Sequence, residues 1–218
     1  MKVIRLEVGL LACNAYLVWD ERAADGVVID PGDEGERIVR RCRAEGFAPT
    51  SVVDTHAHVD HVGANAPLKA AFPEALLCVG SADAATLSDP AANLSSMFGG
   101  GLVTPAPDRE LNEGDEVRFG SCVLRVLTTP GHTPGGICLL ADATSPAQLF
   151  CGDLVFRDGV GRVDFPGGSG VQLLESIRRK VLTLPDETVL WPGHGEPTTV
   201  GRERAHNPFL QSQSPAGF

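Results

Sequence analysis

The sequence predicts an α/β protein of layered sheets built around one dense histidine site. Three observations carry that reading. Short apolar strand patterns alternate with helical ones along both halves of the chain, Gly and Pro punctuate them at close intervals, and metal-type residues stand where strand runs end. With 218 residues, 43% hydrophobic and 21% charged, and no biased tract, the chain is long enough to bury a sizeable core.

Strands are predicted over residues 2–8, 14–19 and 26–30, then a helix over 34–46 and a strand over 51–54. Asp30-Pro31-Gly32-Asp33 closes the third strand, Asp33 is placed to cap the helix, and Ile38, Val39 and Cys42 recur at helical spacing. A helix over 63–72, a strand over 76–79 and a short helix over 81–88 follow, with Pro73 and Pro90 as breakers. Residues 95–107 are rich in Gly, Ser and Pro and form a long loop around Met97 and Phe98, which either borders a site or only connects elements. The second half opens with a hairpin, 115–119 and 122–128, turned at Gly120-Ser121. Strands over 136–140 and 148–152, a Gly-rich loop over 159–170, a helix over 171–182, a strand over 188–191 and a helix over 199–206 complete the chain. No repeat and no linker divides it, so a single domain over 1–218 is expected.

The formal net charge of -10 repels phosphodiester backbones, and no basic patch offsets it. Arg37 to Arg43 and Arg178-Arg179-Lys180 fall within helical patterns as solvated faces, so no nucleic-acid partner is expected. The six cysteines are widely spread and flanked mostly by apolar residues, as small buried hydrophobes are. Residues 1–7 alternate charge with apolar side chains and lack a leader's continuous apolar run, which predicts a cytoplasmic protein with reduced thiols and no membrane segment.

Thr55-His56-Ala57-His58-Val59-Asp60-His61 packs three histidines and a carboxylate into one strand-end turn. Imidazole nitrogens and carboxylate oxygens suit a borderline-soft divalent metal. His132 in Pro130-Gly131-His132, Asp153 in Gly152-Asp153 and His194 in Pro192-Gly193-His194-Gly195 recur in the same context, a strand end followed by a glycine-bracketed turn. His206 lacks that context and reads as surface. Asp30 and Asp54 either support ligand histidines from behind or cap turns.

This order of motifs resembles the metallo-β-lactamase superfamily over nearly the whole chain. Val28 to Gly32, Thr55 to Gly63, Thr129 to Gly135, Gly152 to Phe156 and Asn207-Pro208-Phe209 are similar to short bacterial hydrolases related to glyoxalase II, hydroxyacylglutathione hydrolase. The resemblance implies a four-layer αββα sandwich. It also implies two divalent metal ions, zinc first with iron or manganese as alternatives: His56, His58 and His132 on one, Asp60, His61 and His194 on the other, and Asp153 bridging. The implied activity is hydrolysis of a small thioester such as S-lactoylglutathione by a metal-bridging hydroxide that Asp60 orients. The added C-terminal helical domain of glyoxalase II enzymes is not expected here. Arg162, in the Gly-rich loop, either reaches a glutathione carboxylate or pairs with Asp164. Another small ester or lactone fits the same residues. A mononuclear iron persulfide dioxygenase, which would use His56, His132 and Asp153, is the rival enzyme. A binding module with structural ions is disfavoured, because closed structural sites usually hold cysteine and this set holds none.

Overall fold

In the computed structural model, which describes residues 1–211, the chain opens with an edge strand, β1 (Lys2–Val8), whose Lys2 and Glu7 face water. Beside it β2 (Cys13–Asp20) is buried along its whole length, and β3 (Asp25–Ile29) pairs antiparallel with β2. From there the sheet turns parallel through β4 (Ala48–Asp54), β5 (Leu76–Gly80) and β6 (Arg109–Leu111). Parallel neighbours need crossovers. α1 (Gly35–Ala44) makes the first, and α2 (Val59–Val62) with α3 (Asn65–Ala71) makes the second. The second sheet begins as an antiparallel meander, β7 (Glu116–Phe119), β8 (Cys122–Thr128), β9 (Ile137–Ala141) and β10 (Gln148–Gly152). A small hairpin, β11 (Val155–Phe156) and β12 (Gly159–Val160), and helix α4 (Gly170–Ser176) follow. β13 (Val189–Pro192) then returns parallel to β10, and β14 (Thr198–Thr199) closes the edge before α5 (Val200–His206) and α6 (Pro208–Gln211).

Three apolar layers hold these elements together. Ile38, Cys42 and Leu68 pack α1 and α3 onto the first sheet. Between the sheets, Tyr16 meets Phe150 and Trp191 edge-on at 5.3 and 5.7 Å between ring centroids. Leu149, Leu190, Leu173 and Ile177 join the second sheet to α4 and the turn beyond it. The result is the four-layer αββα sandwich expected from the sequence. All six cysteines are free thiols, and five are buried. Among the described residues no helix is long and apolar enough to cross a membrane. The end of the expected single domain, residues 212–218, lies outside the described residues.

Local differences from the sequence reading have local causes. The helix predicted over 63–72 is α3, starting at Asn65, and a single turn, α2, precedes it unpredicted; Gly63, between the two, backs onto the chain so closely that a Cβ there would lie 2.2 Å from the Gly32 carbonyl oxygen. Residues 81–88 form a 3₁₀ helix, and the helix predicted over 171–182 ends in a π-turn from Ile177 to Val181. Asp33 does not cap α1; it accepts the Glu34 N–H, and Glu34 starts the helix from a left-handed backbone. β6, β11, β12 and β14 span three residues or fewer, too short for a period-two pattern to register.

One carboxylate fastens the ends of the two sheets. Asp20 accepts hydrogen bonds from Ser121 N, Arg22 N and Ser121 Oγ, and these donors hold its pKa down to about 2. A carboxyl depressed in the folded state stabilises above its unfolded value and loses that contribution as pH falls through the folded one. The difference in thermal midpoint between wild type and Asp20→Asn is therefore expected to be widest above about pH 5 and to shrink between about pH 4 and pH 2. Circular-dichroism melts across that range check it; a gap constant with pH would show that the carboxylate's charge is not what matters.

Candidate metal centre

Every candidate ligand follows the C-terminal end of a strand, and all those ends meet at one edge of the sandwich. β4 leads into His56, His58, Asp60 and His61, β8 into His132, β10 into Asp153, and β13 into His194. Asp60 and His61 stand in the single turn of α2 rather than in an open loop. All seven predicted residues are brought together. His58 Nδ1 and His132 Nε2 are 2.9 Å apart, and His61 Nε2 and His132 Nε2 lie 3.4 and 3.7 Å from the two oxygens of Asp153. His194 Nε2 is 3.2 Å from Asp60 Oδ2 and 3.7 Å from Asp153 Oδ2.

What surrounds the rings decides which nitrogen each offers. The Arg162 carbonyl lies 2.7 Å from His132 Nδ1 and can only accept, so that nitrogen carries the proton and the neutral ring keeps its Nε2 lone pair for the pocket. Thr55 Oγ1 donates to Asp30 and is therefore free to accept from His56 Nδ1 at 3.2 Å. Asp30 Oδ2 sits 3.1 Å from His61 Nδ1 and fixes that ring the same way. Three imidazoles thus turn their Nε2 atoms inward. Two of these, on His56 and His61, are buried without a hydrogen-bond partner, as is Asp153 Oδ1. Buried polar atoms are ordinarily paired, so three converging orphans of ligand type fit a bound cation.

The electrostatics divide the histidines: against the pull of burial, Cys13 and the carboxylates of Asp153, Asp60 and Asp30 hold His61 well above the usual range, and Asp60 and Asp153 raise His194. Burial, and then the neighbouring rings, hold His56 well below the usual histidine range, and burial with the facing His132 ring takes His58 to about 3. Both are kept as neutral imidazole, the ligand form. Burial works against the charge on Asp153, yet His61, His132 and His194 overcome it and hold the carboxyl ionised. With Asp30 and Asp60 also at hand, the pocket gathers carboxylates that call for a compensating cation.

The residues left open by the sequence now separate. Asp30 stands behind His61 and also receives Thr55 N at 2.7 Å, holding the start of the histidine turn. Asp54 touches no ligand ring and accepts from Asn65 at the start of α3. The Arg162 guanidinium is bound to Asp164 through two 2.7 Å hydrogen bonds and stacks 4.0 Å over Phe165. Residues 95–107 border the site through Phe98. His206 is exposed and lines no part of the cavity.

Sequence reasoning missed several supports. Asp83, buried in the 3₁₀ helix, accepts Ala57 N and Gly135 N and so clamps the His56–His58 turn to the His132 turn. Asn14 and Tyr16 both donate to the Pro192 carbonyl, holding the loop that carries His194. Cys13 Sγ lies 3.6 Å from His61 Nδ1, on the side of that ring away from its inward nitrogen; burial pushes its thiol up to about 12. An aspartate in a polar helix and a tyrosine in a strand carry no local sign of such roles. Because Asp30 orients both His61 and Thr55, Asp30→Ala is expected to weaken metal binding by about 10- to 100-fold, read by titration against a chromophoric chelator. Unchanged affinity would remove Asp30 from the site.

Comparison with known proteins gives a consistent result. A family model described as the metallo-beta-lactamase superfamily matches residues 8–194. The hydroxyacylglutathione hydrolase GloC of Haemophilus influenzae is 36% identical over 203 residues, covering 92% of this chain and 94% of its own. The crystal structure of BLEG-1 B3 metallo-beta-lactamase superposes with a TM-score of 0.91 at 33% identity, covering 97% of this chain and 100% of that one. A di-iron-bound form of TTHA1623 gives 0.82 at 40% identity, covering 95% and 100%.

Proposed function

The chain belongs to the metallo-beta-lactamase superfamily of metallo-hydrolases, and from that premise we propose that it hydrolyses a small thioester of the S-lactoylglutathione type with two divalent ions. The observation that carries the reading is the convergence of three buried, partnerless ligand atoms, His56 Nε2, His61 Nε2 and Asp153 Oδ1. His56, His58 and His132 would hold one ion, Asp60, His61 and His194 the other, and Asp153 both. We favour zinc, with iron or manganese as alternatives; a di-iron relative shows that iron suits a related site. When bound, such ions lower the pKa of water and polarise a carbonyl.

The chain's own residues do the rest. Asp60 Oδ2 faces the cavity beside His194 Nε2 and is the oxygen available to orient an attacking water and take its proton. Leu11, Val59, Leu94, Phe98, Phe156 and Phe165 wall an open cavity of about 400 Å³, which suits a small substrate. Neither a serine nor a cysteine nucleophile is required, and Cys151 is buried with its thiol raised well above the usual range by that burial. Arg162 lines the cavity and, exchanging Asp164 for substrate, would pair with a carboxylate of the departing thiol.

Elemental analysis together with S-lactoylglutathione turnover tests this directly. Two ions per chain, turnover lost on chelation and regained on metal addition are the expected results. One iron per chain with oxygen uptake on glutathione persulfide would establish the dioxygenase instead.

A further inference from the structure

A second depression opens beside the donor cluster, on the side of Asp60. Its volume is about 320 Å³, and Val8, Leu10, Leu11, Val59, Phe98 and Leu102 supply its apolar wall. Leu11, Val59, Asp60 and Phe98 line this groove and the donor cavity alike, so the two are continuous across one ridge. Three of its apolar side chains stand in water: Leu10 is 103% exposed, Phe98 62% and Leu11 45%. Such carbon beside a reactive centre, open to water, marks a binding surface.

Both banks are built in place. Gly9 and Ala12 adopt positive φ of 67° and 54°, which projects Leu10 and Leu11 outward, and Gly9 N is held by Glu34. On the far bank, Ser95 Oγ accepts Leu102 N at 2.9 Å and Asn93 Oδ1 accepts Ser95 N at 3.0 Å, which closes the loop that presents Phe98. The groove is acidic. Asp33 and Asp60 are its charged residues, and among the described residues it has no lysine or arginine, whereas the one arginine beside the donor cavity, Arg162, is paired with Asp164. An anionic thiol carrier is repelled from the groove. A neutral apolar arm fits the groove.

Resting on the thioesterase reading, we infer that the site also takes, and prefers to the three-carbon lactoyl group, an acyl group that is an apolar chain of several carbons seated between Leu10-Leu11 and Phe98. Leu11 and Phe98 are then specificity-determining residues.

The test is kcat/KM for glutathione thioesters with acyl chains from acetyl to hexanoyl, paired with calorimetric binding of S-methyl- to S-hexylglutathione to the metal-loaded protein. Both are expected to improve about threefold per methylene, with the binding heat capacity becoming more negative. Leu11→Ser with Phe98→Ser is expected to flatten both slopes, while Met97→Ser, on an exposed side chain outside the groove, keeps them. Turnover without chain-length dependence, or a slope that survives the double substitution, overturns the acyl-arm assignment and leaves the hydrolase intact. Failure to turn over any thioester overturns the thioesterase reading and the assignment with it.

Discussion

Asp153→Ala is expected to release both ions and to lower turnover by on the order of 1000-fold, beyond the 10- to 100-fold that follows loss of a supporting residue. The reason is position. Asp153 has one oxygen 3.4 Å from His61 Nε2 and the other 3.7 Å from both His132 Nε2 and His194 Nε2, so among the described residues it is the carboxylate paired with both donor groups. Removing it leaves Asp60 beside His61 and His194 but no carboxylate joining them to His132. Elemental analysis of the purified variant reads the ions, and a thermal melt confirms folding. His206→Ala, at an exposed helix end, is the control expected to keep both ions and activity. An Asp153→Ala protein retaining two ions would refute the shared-carboxylate arrangement.

That arrangement was legible because each ligand announces itself locally. His56, His58, Asp60 and His61 crowd one turn, and His132, Asp153 and His194 each follow an apolar strand and stand next to glycine. The layered α/β fold was legible for a similar reason, since strands such as β9 and β10 are nearly continuous apolar runs. What the sequence hid depends on contacts between distant segments. Asp83 matters because it bridges Ala57 and Gly135, and the choice the sequence left open for Asp30 is made by contacts to Thr55 and His61 from a left-handed backbone at φ 50°. The apolar groove was hidden too: Leu10-Leu11 and Phe98 lie far apart in the chain and meet only across Asp60. Arg162 shows the limit of reading by analogy, because its carbonyl supports His132 while its guanidinium is held by Asp164.

The glycines that bracket the ligands make the sharpest steric prediction. Gly193 precedes His194, and a Cβ there would lie 2.1 Å from Asp153 Oδ1 and 2.7 Å from His61 Cε1. Gly193 is not among the positive-φ residues, so its backbone accepts alanine and the whole cost falls on the site. The methyl group must push the Asp153 carboxylate away from the donors it joins. A displacement of about 1 Å in such a centre costs on the order of 100-fold in rate. Gly193→Ala is therefore expected to fold, to bind metal weakly and to lose about 100-fold in turnover. Gly195→Ala gives the contrast: its φ is +73° and nothing lies within 4 Å of the added carbon. Alanine there strains the backbone by roughly 1 kcal/mol and leaves the carboxylate untouched, so stability falls while the ions stay. Metal content and urea midpoints measured on both variants separate the two costs. Gly193→Ala with full metal content would mean that Asp153 has room to move and that close packing does not hold the site in shape.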